Sequence, residues 1–381
     1  MRILFIADDL YPGFGGQARA TEGHIRALAE RGHEVVALAG SEDEPTEVPD
    51  GVRVERLPSW RLGDSQTRFA HPIVSRIWPL VAWADVIHAN TPAATTAVAT
   101  LIARRLGVPV IMGVHTQLET STLQAPILGP VLRRLLTTWY RMLFGSADAL
   151  TAPTAFAAET ARVFSSGRIE VVSNGLALSS WLTLEPRKPR RGVRALAYVG
   201  RLSPEKRPQD LIDLAAALPE DYRISICGEG PLEAQMRDAI AARGLAGKVE
   251  MLGFLSEERK RRLLCTTELF VMPSPAELQS IATLEAMAAG CAVAAVGYDS
   301  SAVPRLVSEA RAGIVLTVAD GAGQAEQVVE LMNDEAALAT AQANARSYAR
   351  THDVATSAAR LEELYLDLLR TGAVVPAALG G

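Results

Sequence analysis

Short apolar, β-forming runs alternate with helix-forming stretches from one end of this 381-residue chain to the other, and that alternation leaves few folds open to it. Strands are expected near 2–7, 33–39, 52–56, 85–88, 110–114, 148–151 and 169–172. Helices fall between them, notably over 16–31, 93–106 and 127–144. Glu185-Pro186-Arg187-Lys188-Pro189-Arg190-Arg191-Gly192 then interrupts the pattern with prolines and like charges, as a linker does. The alternation restarts at Ala195-Leu196-Ala197-Tyr198-Val199-Gly200, with further strands near 222–227, 248–252, 268–272, 292–296 and 313–316. Residues 355–370 close as an amphipathic helix. Strands linked by crossover helices make parallel sheets covered on both faces. The expected class is therefore α/β, with two doubly wound Rossmann-like domains facing across a cleft. They span 1–185 and 193–354, joined by a linker at 186–192. The helix 355–372 is expected to pack back toward the first domain, ahead of a frayed tail at 373–381. In such sheets ligands bind outside the carboxyl ends of the strands.

Composition narrows the functional classes. Apolar residues make up 49% and charged residues 21%, ample for large cores and far from a disordered chain. No apolar run reaches the ~20 residues that span a bilayer, and the opening Met1-Arg2-Ile3-Leu4-Phe5-Ile6-Ala7-Asp8-Asp9 reads as a first strand rather than a signal peptide. Cys227, Cys265 and Cys291 are odd in number and widely spaced, which fits buried thiols in a reducing cytoplasm and no metal cluster. The net charge of −5 is uneven: residues 1–192 carry 20 basic and 18 acidic side chains, and the remainder 18 and 25. Within 51–145 there are ten arginines and four acids, a patch suited to an anionic surface. No aromatic-interleaved basic run accompanies it, so no nucleic-acid partner is expected.

The densest chemistry lies in 273–290. Pro273-Ser274-Pro275 leaves a strand, Glu277 follows in the turn, and Glu285 stands about a turn into the next helix. The unsatisfied N–H groups of that helix start, around Leu278, Gln279 and Ser280, form a seat for phosphate. Carboxylates beside such a seat suit hydroxyls, so a ribose diol and a sugar ring are the expected partners. A lone helix-start glutamate needs no more than the macrodipole to explain it; the spacing Glu-x7-Glu after Pro-Ser-Pro is more specific. A second set, Gly200-Arg201-Leu202-Ser203-Pro204-Glu205-Lys206, follows a strand and brings two cations, Arg201 and Lys206, to a sheet's carboxyl edge, as a diphosphate leaving group requires. In the first domain, Gly13-x-Gly15-x-x-Ala18 matches a dinucleotide fingerprint only formally, because five residues, 8–12, separate it from the strand. Gly15 and Gly16 read instead as a loop whose amides face a phosphate or acceptor. His115 ends the strand 110–114, where it can hydrogen-bond a sugar hydroxyl.

Together these residues resemble a retaining glycosyltransferase of family 4 with the GT-B fold. The resemblance runs in order through Gly15-Gly16, His115-Thr116, Ser173-Asn174-Gly175, Gly200-Arg201-Leu202, Glu205-Lys206, Gly228-Glu229-Gly230-Pro231-Leu232 and Glu277-x7-Glu285-Ala286-Met287-Ala288. It implies that Arg201 and Lys206 hold the donor diphosphate and Glu285 the ribose hydroxyls, with Glu277 near the reacting centre and His115 beside it. It implies an acceptor-binding first domain, a donor-binding second one, and retention of configuration. No resident cofactor is implied; a nucleotide sugar is co-substrate. Two departures stand out: the family's Gly-Phe-Gly is Leu278-Gln279-Ser280, and its Asn-Gly-Val-Asp is Asn174-Gly175-Leu176-Ala177. The variant at 276–285 is nearest to the subgroup that glycosylates diacylglycerol-type lipids. With no Asp-x-Asp placed to bridge a diphosphate through a metal, the chain's own cations are expected to offset the leaving-group charge. Other readings on the same fold are transfer to a soluble or cell-wall polysaccharide, a nucleotide-sugar epimerase, and a non-catalytic scaffold.

The helix 127–144 bears on the acceptor. Leu132, Leu135, Leu136, Trp139 and Leu143 recur at helical spacing behind Pro130, with Arg133, Arg134 and Arg141 between them. Trp139 and Tyr140 are candidate interfacial anchors. The expectation is a cytoplasmic protein, peripheral at the inner face of the membrane, with a lipid acceptor entering the first domain.

Overall fold

The structure, a computed structural model, describes residues 1–10, 15–41, 51–61, 68–115, 129–183 and 192–372. It divides into two compact units, Met1–Gly175 with Val354–Gly381, and Leu176–Asp353. The first unit therefore ends at Gly175, short of the expected boundary at 185, and the expected linker lies almost wholly outside the described residues. The charged Pro-rich stretch marks where the chain is solvated, whereas this division follows contacts.

The first unit is built on a parallel sheet of β1 (Arg2–Ile6), β2 (Glu34–Gly40), β3 (Val52–Leu57), β6 (Val86–Ala89), β7 (Val110–Gly113), β8 (Ala149–Ala152) and β9 (Ile169–Val171), in the order β3-β2-β1-β6-β7-β8-β9. Between β3 and β6 the antiparallel pair β4 (Ser59–Arg61) and β5 (Arg68–Ala70) stacks Trp60 on Phe69, an element the sequence reading did not include. The helix Val354–Thr371 belongs to this unit. Leu361, Leu364, Tyr365 and Leu368 recur at helical spacing and lie in one core with Phe5, Ile25 and Val86. Tyr365 and His88 Nδ1 share a buried hydrogen bond of 2.6 Å, while Arg31 pairs with Glu362 and Arg168 with Asp367 at the rim.

The second unit repeats the plan with β10 (Arg194–Val199), β11 (Tyr222–Cys227), β12 (Val249–Gly253), β13 (Leu269–Met272), β14 (Ala292–Val296) and β15 (Gly313–Leu316), all parallel, in the order β12-β11-β10-β13-β14-β15. Every residue of β13 and β14 is buried, as parallel strands with helices on both faces must be. Five of its helices start on side-chain caps: Ser256 for Glu257–Cys265, Ser280 for Ile281–Ala289, Ser301 for Ala302–Ala310, Asp320 for Gly321–Asn333 and Asp334 for Glu335–Arg350. The bridge between Leu176 and Asp353, with Leu176 N–H donating to the His352 carbonyl at 2.8 Å, ties the unit's two ends together.

Candidate active site

In each sheet the strand order reverses beside the first strand of its unit, and a doubly wound sheet opens a crevice at the carboxyl ends there. In the second unit that point lies between β10 and β13. The loop after β10 is fixed by its neighbours. Leu202 N–H donates to the Glu229 carbonyl at 2.9 Å, and Leu232 N–H to the Leu202 carbonyl at 3.0 Å. Gly228, at φ +143°, permits this contact, because a Cβ there would lie 1.9 Å from the Gly200 carbonyl oxygen. Beneath the loop the buried Tyr198 hydroxyl donates to the Arg201 carbonyl at 3.1 Å. Burial, then the charges of Glu277 and Glu205, push that hydroxyl up, so it stays protonated.

The loop after β13 meets this one through an ion pair. Lys206 Nζ lies 2.6 Å from Glu277 Oε1 and also donates to the Ala276 carbonyl at 3.3 Å. Arg201 stands 3.1 Å from Glu205 Oε1, which also accepts from the Ser203 hydroxyl at 2.6 Å. The sequence-predicted Arg201, Lys206, Glu277, Leu278, Gln279 and Ser280 thus fall on two adjoining loops at one sheet edge. Ser280 caps the following helix, accepting from Thr283 N–H, and does so at φ +69° and ψ 96°. That conformation favours glycine.

Glu285, one turn into the helix, is buried and has a partner that sequence reasoning missed: Lys260 Nζ, 2.7 Å from its Oε1. Lys260 hides inside the run Glu257-Glu258-Arg259-Lys260-Arg261-Arg262, which reads as a solvated face. Its only signal is a place one turn before the buried Leu264, on the inward side of the helix.

In the first unit the reversal lies between β1 and β6. Asp8 is buried there, accepting from Ala70 N–H at 3.0 Å and from the Thr95 hydroxyl at 2.7 Å. Burial pushes its carboxyl up to about 6, against those two bonds. Gly15 starts the helix Gly16–Glu30 at φ +97°, and Gln17 donates to the Asn90 carbonyl at 2.7 Å. His115 follows β7, half-buried, its ring folded over the bare Gly113, where a Cβ would lie 2.5 Å from Nε2. Burial, then the nearby His24, press His115 down to about 3, so the ring is neutral at ordinary pH. Tyr11–Phe14 and Thr116 lie outside the described residues.

Comparison with known proteins agrees with this layout. The family described as Glycosyltransferase Family 4 matches residues 14–180, and that described as Glycosyl transferases group 1 matches residues 185–352. The chain belongs to glycosyltransferase family 4. This glycosyltransferase is 27% identical over 370 residues to a glycogen synthase of Mycobacterium tuberculosis, covering 88% of the chain and 87% of the relative. It is 27% identical over 333 residues to a GDP-mannose-dependent alpha-mannosyltransferase of Mycolicibacterium smegmatis, covering 84% and 85%. The crystal structure of Anabaena Alr3699/HepE in complex with UDP and glucose superposes with a TM-score of 0.74 at 20% identity, over 97% of this chain and 100% of that one. The fold is GT-B.

The helix Gly129–Phe144 of the glycosyltransferase corrects part of the expected amphipathic face. Its core side is Tyr140, Leu143 and Phe144, with Tyr140 and Phe144 edge-on to one another and both close to Phe164. Tyr140 is therefore a core residue and no interfacial anchor. Trp139 is half-buried and donates from Nε1 to the Pro92 carbonyl at 2.8 Å. Leu135 is 63% exposed, and with Val131, Arg134, Thr138, Trp139 and Met142 it lines a shallow apolar depression. Arg133, Arg134 and Arg141 are all exposed, and Arg134 belongs to its lining. Among the described residues no helix is long and apolar enough to cross a membrane.

Proposed function

We propose that this glycosyltransferase moves a hexose from a nucleoside-diphosphate sugar to a hydroxyl of a glycerolipid or glycolipid at an anionic membrane surface, with retention of configuration and without a metal ion. The observation that carries the donor half is the meeting of Arg201, Lys206 and the capped start of Ile281–Ala289 at the reversal point of the second sheet. Two cations and a helix start offset the charge that develops on a departing diphosphate. Glu285 grips the ribose hydroxyls, and Glu277 stands by the anomeric carbon, where a carboxylate favours the oxocarbenium-like transition state. In the step itself the bond from the anomeric carbon to the phosphate oxygen breaks while the acceptor oxygen bonds that carbon on the same face. The acceptor's proton passes to the departing phosphate oxygen. A neutral His115 exchanges a hydrogen bond with a sugar hydroxyl without adding charge.

The acceptor half is supported by the apolar depression on Gly129–Phe144, by the three exposed arginines of the same helix, and by the 276–285 sequence variant. The likeness to a glycogen synthase favours a soluble glucan as the second reading. The test is a melting-temperature panel with UDP, GDP and ADP, followed by donor hydrolysis and by transfer to diacylglycerol-containing vesicles or to glycogen, each with excess chelator. The expected result is one stabilising nucleotide, turnover that survives chelation, and product in the vesicle arm. Stabilisation by none of the three refutes the donor site, loss of turnover restored by manganese refutes metal independence, and product in the glycogen arm alone refutes the lipid.

A further inference from the structure

The two glutamates of Glu-x7-Glu are each held by a lysine from a different element, Glu277 by Lys206 and Glu285 by Lys260. The second pair is the more deeply buried: Lys260 is 5% exposed and Glu285 6%. Within Glu257–Cys265, Glu257, Glu258, Arg259 and Arg262 are exposed, and Lys260 alone of the helix's charged side chains is buried. Its ammonium sits 3.1 Å from Glu257 and 5.9 Å from the ring centre of Trp181, a buried residue of the helix Ser179–Leu182. Cys227, the last residue of β11, feels the charges of Lys260, Glu285 and Glu257 behind the main effect of burial, which locates the cluster near the sheet's carboxyl edge. A buried ion pair that served packing alone is replaceable by apolar side chains at no loss. A carboxylate that must meet a ligand already charged and already aimed needs a counter-ion where water is scarce, and Lys260 occupies that place.

We propose that Lys260 is a positioning residue for the donor: through the 2.7 Å contact to Oε1 it holds the Glu285 carboxylate charged and turned to receive the ribose hydroxyls of a nucleoside diphosphate. The inference rests on the reading of Glu285 as the ribose contact, and the experiment separates the two. Calorimetry measures binding of whichever of UDP, GDP and ADP the wild type binds tightest, together with its 2′-deoxy and 3′-deoxy forms. Wild type should prefer the ribonucleotide over at least one deoxy form by about tenfold, the range of a charge-assisted hydrogen bond. Glu285→Gln should bring that ratio near one, Lys260→Met should bring it to the same value, and Lys260→Arg should restore most of it. Adding Lys260→Met to Glu285→Gln should change the ratio no further, because the lysine acts only through the carboxylate. That double variant leaves no buried charge, so it keeps the test open if Lys260→Met alone does not fold. A wild-type ratio in Lys260→Met beside a lost ratio in Glu285→Gln overturns the inference and leaves the ribose reading standing. Further loss in the double variant also overturns it. A wild-type ratio in Glu285→Gln overturns both.

Discussion

Ser280 holds a backbone conformation, φ +69° and ψ 96°, that costs a non-glycine residue ~1–3 kcal/mol. Its hydroxyl compensates by capping Thr283 N–H and accepting from the Thr283 hydroxyl at 2.9 Å. Ser280→Ala and Ser280→Gly both lose the hydroxyl, and only glycine relieves the backbone. Denaturant unfolding should therefore find Ser280→Ala less stable than Ser280→Gly by roughly 1–2 kcal/mol; equal stabilities would show that no strain is stored there. On the proposed donor site, Arg201→Ala and Glu285→Gln should each raise the donor's Kd about tenfold or more, while Glu277→Gln should chiefly lower kcat. Wild-type donor affinity in the first two would remove them from the donor site. Glu277, Glu285, Arg201 and Lys206 were legible because their spacing from a strand end fixes where they fall. Lys260 was not, since a charge run hides which one of its members turns inward.

Most elements were legible to within a residue or two, because period 2 and period 3.6 differ sharply in the apolar pattern. The pair β4–β5 escaped because three-residue strands carry no period to read, only the cross-strand partners Trp60 and Phe69. The helix Gly129–Phe144 shows the limit from the other side: it has two apolar stripes, and sequence alone does not say which one the core takes. The stripe left outside is the one on which the proposed lipid acceptor rests. Each arginine near an anionic surface contributes ~1 kcal/mol, so replacing Arg133, Arg134 and Arg141 by Gln should release the protein from anionic vesicles in a flotation assay. Donor hydrolysis should be spared. Wild-type protein that ignores such vesicles at low salt would leave the exposed stripe without a lipid role.

At the scale of whole units, the first is the acid-sensitive one. His24 is pressed down to about 4 and His115 to about 3, and His88 lies well below its ordinary value, burial leading in each case. Below pH 6.5 the unfolded chain takes up protons that these rings refuse, so stability is full above 6.5 and is lost as pH falls, at roughly 1.4 kcal/mol per pH unit for each ring. His33 is lowered as well and adds to the rings, while Asp8, raised to about 6, and Asp9, also raised by burial, act in the opposite sense: two carboxyls against four rings. Four of the five tryptophans lie in the first unit, so fluorescence should show its urea midpoint falling between pH 7 and 5; an unchanged midpoint would mean the rings titrate normally. The return of Val354–Thr371 to the first unit has a consequence for how the chain is made. Residues 176–353 are one continuous stretch whose ends bridge at Leu176 and Asp353, while the 175 residues made earlier need Tyr365, made later, for their core. Synthesis normally lets the amino-terminal domain fold first; here a chain stalled after residue 353, on a tether that clears the exit tunnel, should resist protease across 176–353 and be digested across 1–175. The half that is translated first is the half that waits.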